Sequence, residues 1–218
     1  MPDFWKFFLL LLMSAVIIAA WSMEPPQNQL GEVSRLFYFH IPVAWVTALA
    51  YFVAMSHSVL YLRRRELLYD VKASSAAELG TLFCVLATIT GSIFAKMTWG
   101  AFWNWDPRQT SILILLLIYG AYLALRSAVR EPGRKAALSS VYCIFAFPAA
   151  VFLIFVTPRA YQSLHPASSV IDTSGRIQMP APILVTFLAS LICFTLIFIW
   201  VYTLQTAIGR NRLSERKL

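Results

Sequence analysis

The stretch Ile177–Gly209, which reads IQMPAPILVTFLASLICFTLIFIWVYTLQTAIG, contains no charged residue. It is longer than the roughly 20 apolar residues that cross the hydrocarbon core of a bilayer as an α-helix. Five further uncharged runs lie at Phe7–Met23, Leu36–Leu62, Leu79–Ala95, Gln109–Leu125 and Ala136–Pro158. The sequence therefore predicts an all-α membrane protein with six transmembrane helices, at approximately residues 5–23, 41–62, 79–97, 109–126, 137–157 and 181–206.

The overall composition agrees with a bilayer as the solvent. Hydrophobic residues make up 59% of the chain and charged residues 13%, whereas soluble domains have about 45–50% and about 25%. One polytopic membrane domain, residues 1–218, accounts for the whole length. Phe7–Met23 is interpreted as a retained anchor, because Trp21 and Met23 stand where small residues would mark the cleavage site of a signal peptide.

Basic residues are distributed unevenly between the two sides of the predicted bundle. Lys and Arg near helix ends are retained on the cytoplasmic side of a membrane. With six spans, the side that holds both termini also holds Lys6, Arg63, Arg64, Arg65, Lys72, Arg126, Arg130, Arg134, Lys135, Arg210, Arg212, Arg216 and Lys217. The other side holds Arg35, Lys96, Arg108, Arg159 and Arg176. Both termini are therefore expected to be cytoplasmic. The net charge of +8 is explained by this topology and by attraction of the basic residues to anionic lipid. A nucleic-acid partner is not needed to explain it.

Several function classes are disfavoured by missing motifs. The sequence has no G-x-x-x-x-G-K-[ST] phosphate loop, so any coupling to ATP needs a partner. Three histidines are present, and none has a nucleophile at an informative spacing, which makes a hydrolase a weak interpretation. Cys84, Cys143 and Cys193 all lie in predicted spans and read as small buried apolar residues.

The second of the short outer loops carries three of the seven tryptophans. It reads Trp99-Gly100-Ala101-Phe102-Trp103-Asn104-Trp105-Asp106-Pro107-Arg108-Gln109-Thr110. If Trp99–Trp105 forms a short helix, Trp99 and Trp103 lie on one side of it, and Pro107 ends it. An interfacial aromatic belt is the simpler interpretation. Broad apolar surfaces combined with a carboxylate and a guanidinium instead favour a site for a flat amphipathic ligand.

Two histidines indicate what that ligand is. His40 opens the second span, where Pro42 fits the first turn of a helix, and His165 lies in the third outer loop. Two neutral imidazoles that face each other across a flat aromatic floor suit six-coordinate haem iron. His57 lies about 25 Å along the same helix from His40 and cannot share a metal with it. The chain has no C-x-x-C-H motif for covalent haem, so a non-covalent, b-type haem is expected.

The haem propionates require cationic partners where the site excludes water. Arg108 and Arg159 are the nearest candidates by topology, and Arg35 and Arg176 are weaker ones. Asp106 either braces Arg108 or caps the fourth span. The sequence leaves these two roles open.

At these residues the chain resembles the CcmC family of cytochrome c maturation, along nearly its full length. The tryptophan-rich signature W-G-x-x-W-x-W-D-x-R-x-T is met at every fixed position, by Trp99, Gly100, Trp103, Trp105, Asp106, Arg108 and Thr110. The resemblance implies that His40 and His165 are axial ligands of haem iron. It also implies a haem-binding and haem-transfer protein of the bacterial inner membrane with its site facing the periplasm, and not an enzyme.

The resemblance further implies partners. Haem is bound transiently and presented to the haem chaperone CcmE, which then binds it covalently. The family associates with an ABC-type ATPase and permease pair, CcmA and CcmB, and with the small subunit CcmD. ATP would act on release of the loaded chaperone.

Three other functions remain to be weighed against this one. Cytochrome c haem lyases or synthetases share the tryptophan-rich segment, but they are typically larger and resemble one another in carrying more membrane-embedded histidines. A b-type cytochrome usually has its ligands on helices within the bilayer, unlike the loop residue His165. A haem permease without a chaperone needs polar residues along its spans, and few are present here.

Overall fold

The computed structural model describes residues 3–23, 31–165 and 179–215. Within these ranges, six helical segments are long and apolar enough to cross a membrane, so the six-span, all-α prediction is confirmed. The α-helices are α1 (Asp3–Ser22), α2 (Phe37–Arg64), α3 (Leu67–Trp99), α4 (Pro107–Ala128), α5 (Pro132–Val151), α6 (Thr157–Ala160) and α7 (Ala181–Glu215). A 3₁₀-helix, Gly31–Leu36, leads into α2, and a π-helical segment, Phe152–Val156, joins α5 to α6.

Short connections join α2 to α3 and α4 to α5 at the same end of the bundle. Arg65 ends α2 in the left-handed conformation, with φ of 58°, and its N–H donates to the Tyr61 carbonyl. The Glu131 carboxylate caps α5 by accepting the N–H groups of Gly133 and Arg134, and Pro132 occupies the first helical position. Both helical hairpins are therefore closed by ordinary helix caps.

An ion pair ties these two hairpins together. The Arg126 guanidinium on α4 donates to both oxygens of Asp70 on α3, at 2.6 and 3.0 Å. Asp70 is buried in the first turn of α3. This helix begins at Leu67, well before the apolar run that starts at Leu79. The charged first turns of α3 are thus part of the same helix as the predicted span.

Helix α2 is central and packs against α3, α5 and α7. Its Tyr51 ring stacks on Tyr119 of α4, with ring centroids 3.4 Å apart and planes 9° apart. Gly80 of α3 makes this possible, because a Cβ atom there would lie 2.7 Å from the Tyr51 ring. Small residues at such interfaces let membrane helices approach closely.

Pro42 lies inside α2 and not in its first turn, because the 3₁₀-helix brings the start of α2 back to Phe37. The expectation that Pro42 fits the first turn of a helix is therefore wrong. A proline in a helix leaves the carbonyl four residues earlier without its N–H donor. That carbonyl belongs to Tyr38, and the buried Ser190 hydroxyl of α7 donates to it instead. Packing of α7 thus supplies the hydrogen-bond donor that Pro42 removes from α2 close to His40.

We expect Ser190→Ala to lower the free energy of unfolding by roughly 1 kcal/mol, because the Tyr38 carbonyl is left buried without a donor. The measurement is the thermal denaturation midpoint of the purified protein in detergent. The matched control is Ser56→Ala, since the Ser56 hydroxyl donates only to the Phe52 carbonyl of its own helix. Equal midpoints for the two variants would contradict this role of Ser190.

Candidate functional site

A cavity of about 160 Å³ lies where α2 begins and α3 ends. Four of the predicted site residues, His40, Trp103, Arg108 and His165, line it together. They come from α2, the tryptophan-rich loop, the first turn of α4 and the segment after α6. The structure therefore brings both candidate axial ligands to one space, although they are far apart in the sequence.

His40 is positioned by α3. Its Nδ1 lies 2.9 Å from the Thr90 Oγ1. The next residue, Gly91, leaves room for the imidazole, since a Cβ atom there would lie 2.9 Å from the His40 Cε1. Because Nδ1 is engaged by Thr90, Nε2 is the nitrogen that remains for a ligand.

His165 is held by aromatic rings and by a carboxylate. Its ring centroid lies 4.6 Å from that of Trp99, edge-on, and 6.5 Å from that of Phe94, nearly parallel. Its Nδ1 lies 3.2 Å from the Asp106 Oδ1. Burial, together with the nearby Arg108 cation, lowers the pKa of His165 to about 4. The imidazole is therefore neutral at pH 7, as iron ligation requires.

Asp106 caps α4 and also fixes the segment that carries His165. Its carboxylate accepts the Arg108 N–H at 2.9 Å, which is the capping role left open by the sequence. It also accepts the Leu164 N–H at 2.7 Å and the Ser163 hydroxyl. Burial alone would raise the pKa of Asp106, but these hydrogen bonds outweigh it, and the pKa lies below its usual value. The Asp106 side chain is 1% exposed and does not line the cavity.

The tryptophan-rich segment is a loop, so the conditional prediction of a helix over Trp99–Trp105 is wrong. Gly100 ends α3 in the left-handed conformation, with φ of 83°. Pro107 begins α4 and does not end a preceding helix. Trp99 contacts His165 and Trp103 lines the cavity, whereas Trp105 is 71% exposed and packs edge-on against Trp103 at 5.8 Å.

Trp105 has a φ of 54°, which is rare for a bulky residue. Gln109 stabilises the loop around it, because its side chain accepts the Asn104 N–H at 2.7 Å and donates to the Phe102 carbonyl at 3.3 Å. Gln109 is buried and also lines the cavity. Sequence reasoning missed Gln109, Ser163 and Thr90. The position of Gln109, a polar residue at the start of a helix, could have indicated its role. Nothing in the sequence indicates the roles of Ser163 and Thr90.

The fifth span changes its winding beside the cavity. The Thr157 N–H donates to the Phe152 carbonyl, five residues earlier, and this closes the π-helical turn before Pro158. Leu153 and Ile154 of that turn line the cavity. Single π-helical turns in long helices occur often at functional sites.

The model of the family described as Heme exporter protein C, CcmC, matches residues 1–218. The chain belongs to this family. A Heme exporter protein C of Bradyrhizobium diazoefficiens is 31% identical over 214 residues, which cover 98% of this chain and 80% of that protein. A putative cytochrome c biosynthesis ccmC-like mitochondrial protein of Marchantia polymorpha is 34% identical over 194 residues, which cover 88% and 81%. The Heme exporter protein C of Escherichia coli is 27% identical over 170 residues, which cover 76% and 67%.

Membership in the CcmC family indicates a role in haem handling, and six apolar helices make this member a multi-pass membrane protein. The donor set fits haem iron. Both imidazoles that line the cavity have Nδ1 engaged in hydrogen bonds, so each has Nε2 left for iron. The cavity is smaller than the roughly 300–1,000 Å³ of most ligand pockets. A ligand of the size of haem would therefore not be enclosed by this cavity alone in this CcmC family member.

The arginines predicted for the propionates have different surroundings. Arg108 lines the cavity. Arg159 does not, and its guanidinium donates to the Phe155 carbonyl at 2.6 Å. Arg35 pairs with Glu32 and donates to the Ala20 carbonyl. Arg176 lies outside the described residues. Arg108 is thus the arginine best placed for a propionate.

The remaining histidine and the cysteines lie away from this cavity. The His57 ring lies between those of Tyr69 and Tyr202, at centroid distances of 6.4 and 6.2 Å. Cys84, Cys143 and Cys193 are buried and free, as expected. Within residues 3–23, 31–165 and 179–215, no group of three or more His, Cys, Asp or Glu residues forms a separate metal site.

Substituting Gly91 tests how closely α3 must approach His40. We expect Gly91→Ala to displace the His40 imidazole, because the new methyl group would overlap the ring. The purified variant should lose the six-coordinate low-spin haem spectrum. Gly120→Ala is the matched control, since a Cβ atom at Gly120 meets nothing within 4 Å. An unchanged spectrum in Gly91→Ala would show that the His40 ring can relocate without cost.

Proposed function

We propose that this protein binds haem between His40 and His165 at the periplasmic face of the bacterial inner membrane and delivers it to the haem chaperone CcmE. The observation that carries the proposal is that His40, Trp103, Arg108 and His165 line one cavity together. Its partners are then CcmE, the ATPase and permease subunits CcmA and CcmB, and the small subunit CcmD. The protein acts as a carrier within an ABC-type complex and not as a catalyst.

The proposed orientation follows from the ends of the helices. The α2–α3 and α4–α5 connections meet at one end, where Arg126 pairs with Asp70 and the Tyr61 hydroxyl donates to the Gly133 carbonyl. Arg63, Arg64, Arg134 and Lys135 lie at this same end. Basic residues favour the cytoplasmic side, so we place both termini there. The cavity, at the opposite end, then faces the periplasm.

Each residue of the site has a distinct role in the proposal. The Nε2 atoms of His40 and His165 would hold the iron of a bound haem. The Arg108 guanidinium neutralises a propionate in a partly dry site, where charge-assisted hydrogen bonds are strong. Trp103 offers an aromatic surface to the macrocycle. No covalent bond to the chain is formed, so the bound haem is of b-type and can leave.

The deciding experiment is visible spectroscopy of the purified protein and of His40→Ala and His165→Ala. We expect the unmodified protein to carry haem with a six-coordinate low-spin spectrum, and each substitution to weaken binding or alter that spectrum. His57→Ala is the control, because His57 lies against Tyr69 and Tyr202, away from the cavity. Absence of haem after haem-replete expression, or unchanged spectra in both variants, would refute the axial assignment.

The role of the tryptophan-rich segment in delivery is tested separately. We expect Trp103→Ala to reduce haem retention or transfer to CcmE several-fold while leaving membrane insertion intact, since this residue lines the cavity. Haem-staining of covalently loaded CcmE measures the transfer. Trp5→Ala is the control, because Trp5 is 40% exposed at the start of α1 and its ring packs edge-on against Phe8 of the same helix. Normal loading of CcmE by Trp103→Ala would reduce the segment to an interfacial belt.

A further inference from the structure

The hydrogen-bond partners of the two candidate ligands differ in charge. The Thr90 hydroxyl has one hydrogen, and its oxygen lies 2.8 Å from the Leu86 carbonyl and 3.2 Å from the Ala87 carbonyl. A carbonyl oxygen can only accept, so the Thr90 hydrogen is used there. The Thr90 oxygen then accepts a hydrogen bond from the His40 Nδ1–H. The acceptor behind His40 is a neutral hydroxyl.

The acceptor behind His165 is an anion. The Ser163 hydroxyl donates its one hydrogen to the Asp106 carboxylate, so the Ser163 oxygen can only accept from His165. Both polar groups near the His165 Nδ1 are therefore acceptors, and this nitrogen must carry the hydrogen. Its donation to the buried Asp106 carboxylate makes a carboxylate–histidine pair. Such pairs raise the basicity of the imidazole as a metal ligand.

We propose that Asp106 and Thr90 make the two axial ligands unequal, so that His165 is the strong, retained ligand and His40 is the one that an incoming ligand displaces. Asp106 is then a positioning residue that acts through His165 and has no contact with haem. This inference rests on the proposed haem site and adds an order of release to it. In a displacement the His40 Nε2 would give up its place on the iron to the incoming ligand, and the His40 Nδ1–H would stay on the Thr90 hydroxyl, so that no proton would move.

The packing around the two rings agrees with this inequality. His165 is enclosed by Trp99 and Phe94, and its segment is fixed by the Leu164 N–H and the Ser163 hydroxyl on Asp106. The His40 Nδ1, in contrast, lies 2.9 Å from the neutral Thr90 hydroxyl. The His165 ring and its segment are thus held by a charged group, and the His40 ring by a neutral one.

Carbon monoxide binding to the reduced protein tests the order of displacement directly. Carbon monoxide replaces one histidine of a ferrous six-coordinate haem, and the Fe–CO stretching frequency reports the histidine that remains. We expect the unmodified protein to give the frequency of His40→Ala, because both retain His165. A frequency that matches His165→Ala would overturn the inference. This measurement does not require any change at Asp106.

Two conservative substitutions test the partners of the ligands. We expect Asp106→Asn, which keeps a capping side chain but removes the charge, to weaken haem affinity about tenfold, as loss of an outer partner usually does. It should also raise the reduction potential. Thr90→Val should change both quantities much less. Thr195→Val is the control, because the Thr195 hydroxyl donates only to the Leu191 carbonyl of its own helix. Ser163→Ala removes a hydrogen bond between the His165 segment and Asp106 but keeps the Asp106 charge. It therefore separates the effect of holding that segment from the effect of the charge.

The outcomes distinguish this inference from the proposed function. If the unmodified protein carries no six-coordinate haem, the proposed function and the inference both fail. If six-coordinate haem is present but Asp106→Asn and Thr90→Val shift the potential equally, only the inference fails. An Asp106→Asn effect that Ser163→Ala reproduces in full would assign Asp106 to docking of the segment alone, and this also overturns the inference.

Discussion

The buried Asp106 carboxylate joins parts of the chain that would otherwise be independent. It ends the tryptophan-rich loop by capping α4. It also accepts hydrogen bonds from the Ser163 hydroxyl and the Leu164 N–H, in the segment that follows α6. It also orients His165. A buried anion is costly unless its hydrogen bonds are complete. The position of each of these segments is therefore set by the need to satisfy one carboxylate.

The six spans could be predicted from the sequence because charged side chains are costly inside a bilayer. A membrane span therefore appears as a long uncharged run, however the helices pack. The choice of His40 and His165, and the exclusion of His57, followed from helix length and loop position, which are also properties of the sequence alone. Their meeting in one cavity was expected from topology. These parts of the site depend on which side of the membrane each residue occupies.

The shape of the tryptophan-rich segment could not be predicted in the same way. Helical spacing favoured a stack of Trp99 on Trp103, but the left-handed Gly100 ends α3 directly after Trp99, and the next helix begins only after the Asp106 cap. The partners of Asp106 come from a segment more than fifty residues away. Pairings of this kind, like that between Ser190 and the Tyr38 carbonyl, arise only when distant helices pack, and no local pattern encodes them.

The separation of the two histidines along the chain has a consequence for biogenesis. His40 belongs to α2, whereas His165 follows α6, so a ribosome must deliver five membrane-spanning segments before both candidate ligands exist. A truncated or half-inserted polypeptide would carry one imidazole and no partner for it. Under the proposed haem binding, completion of the bundle is therefore the condition for ligation on both sides of the iron.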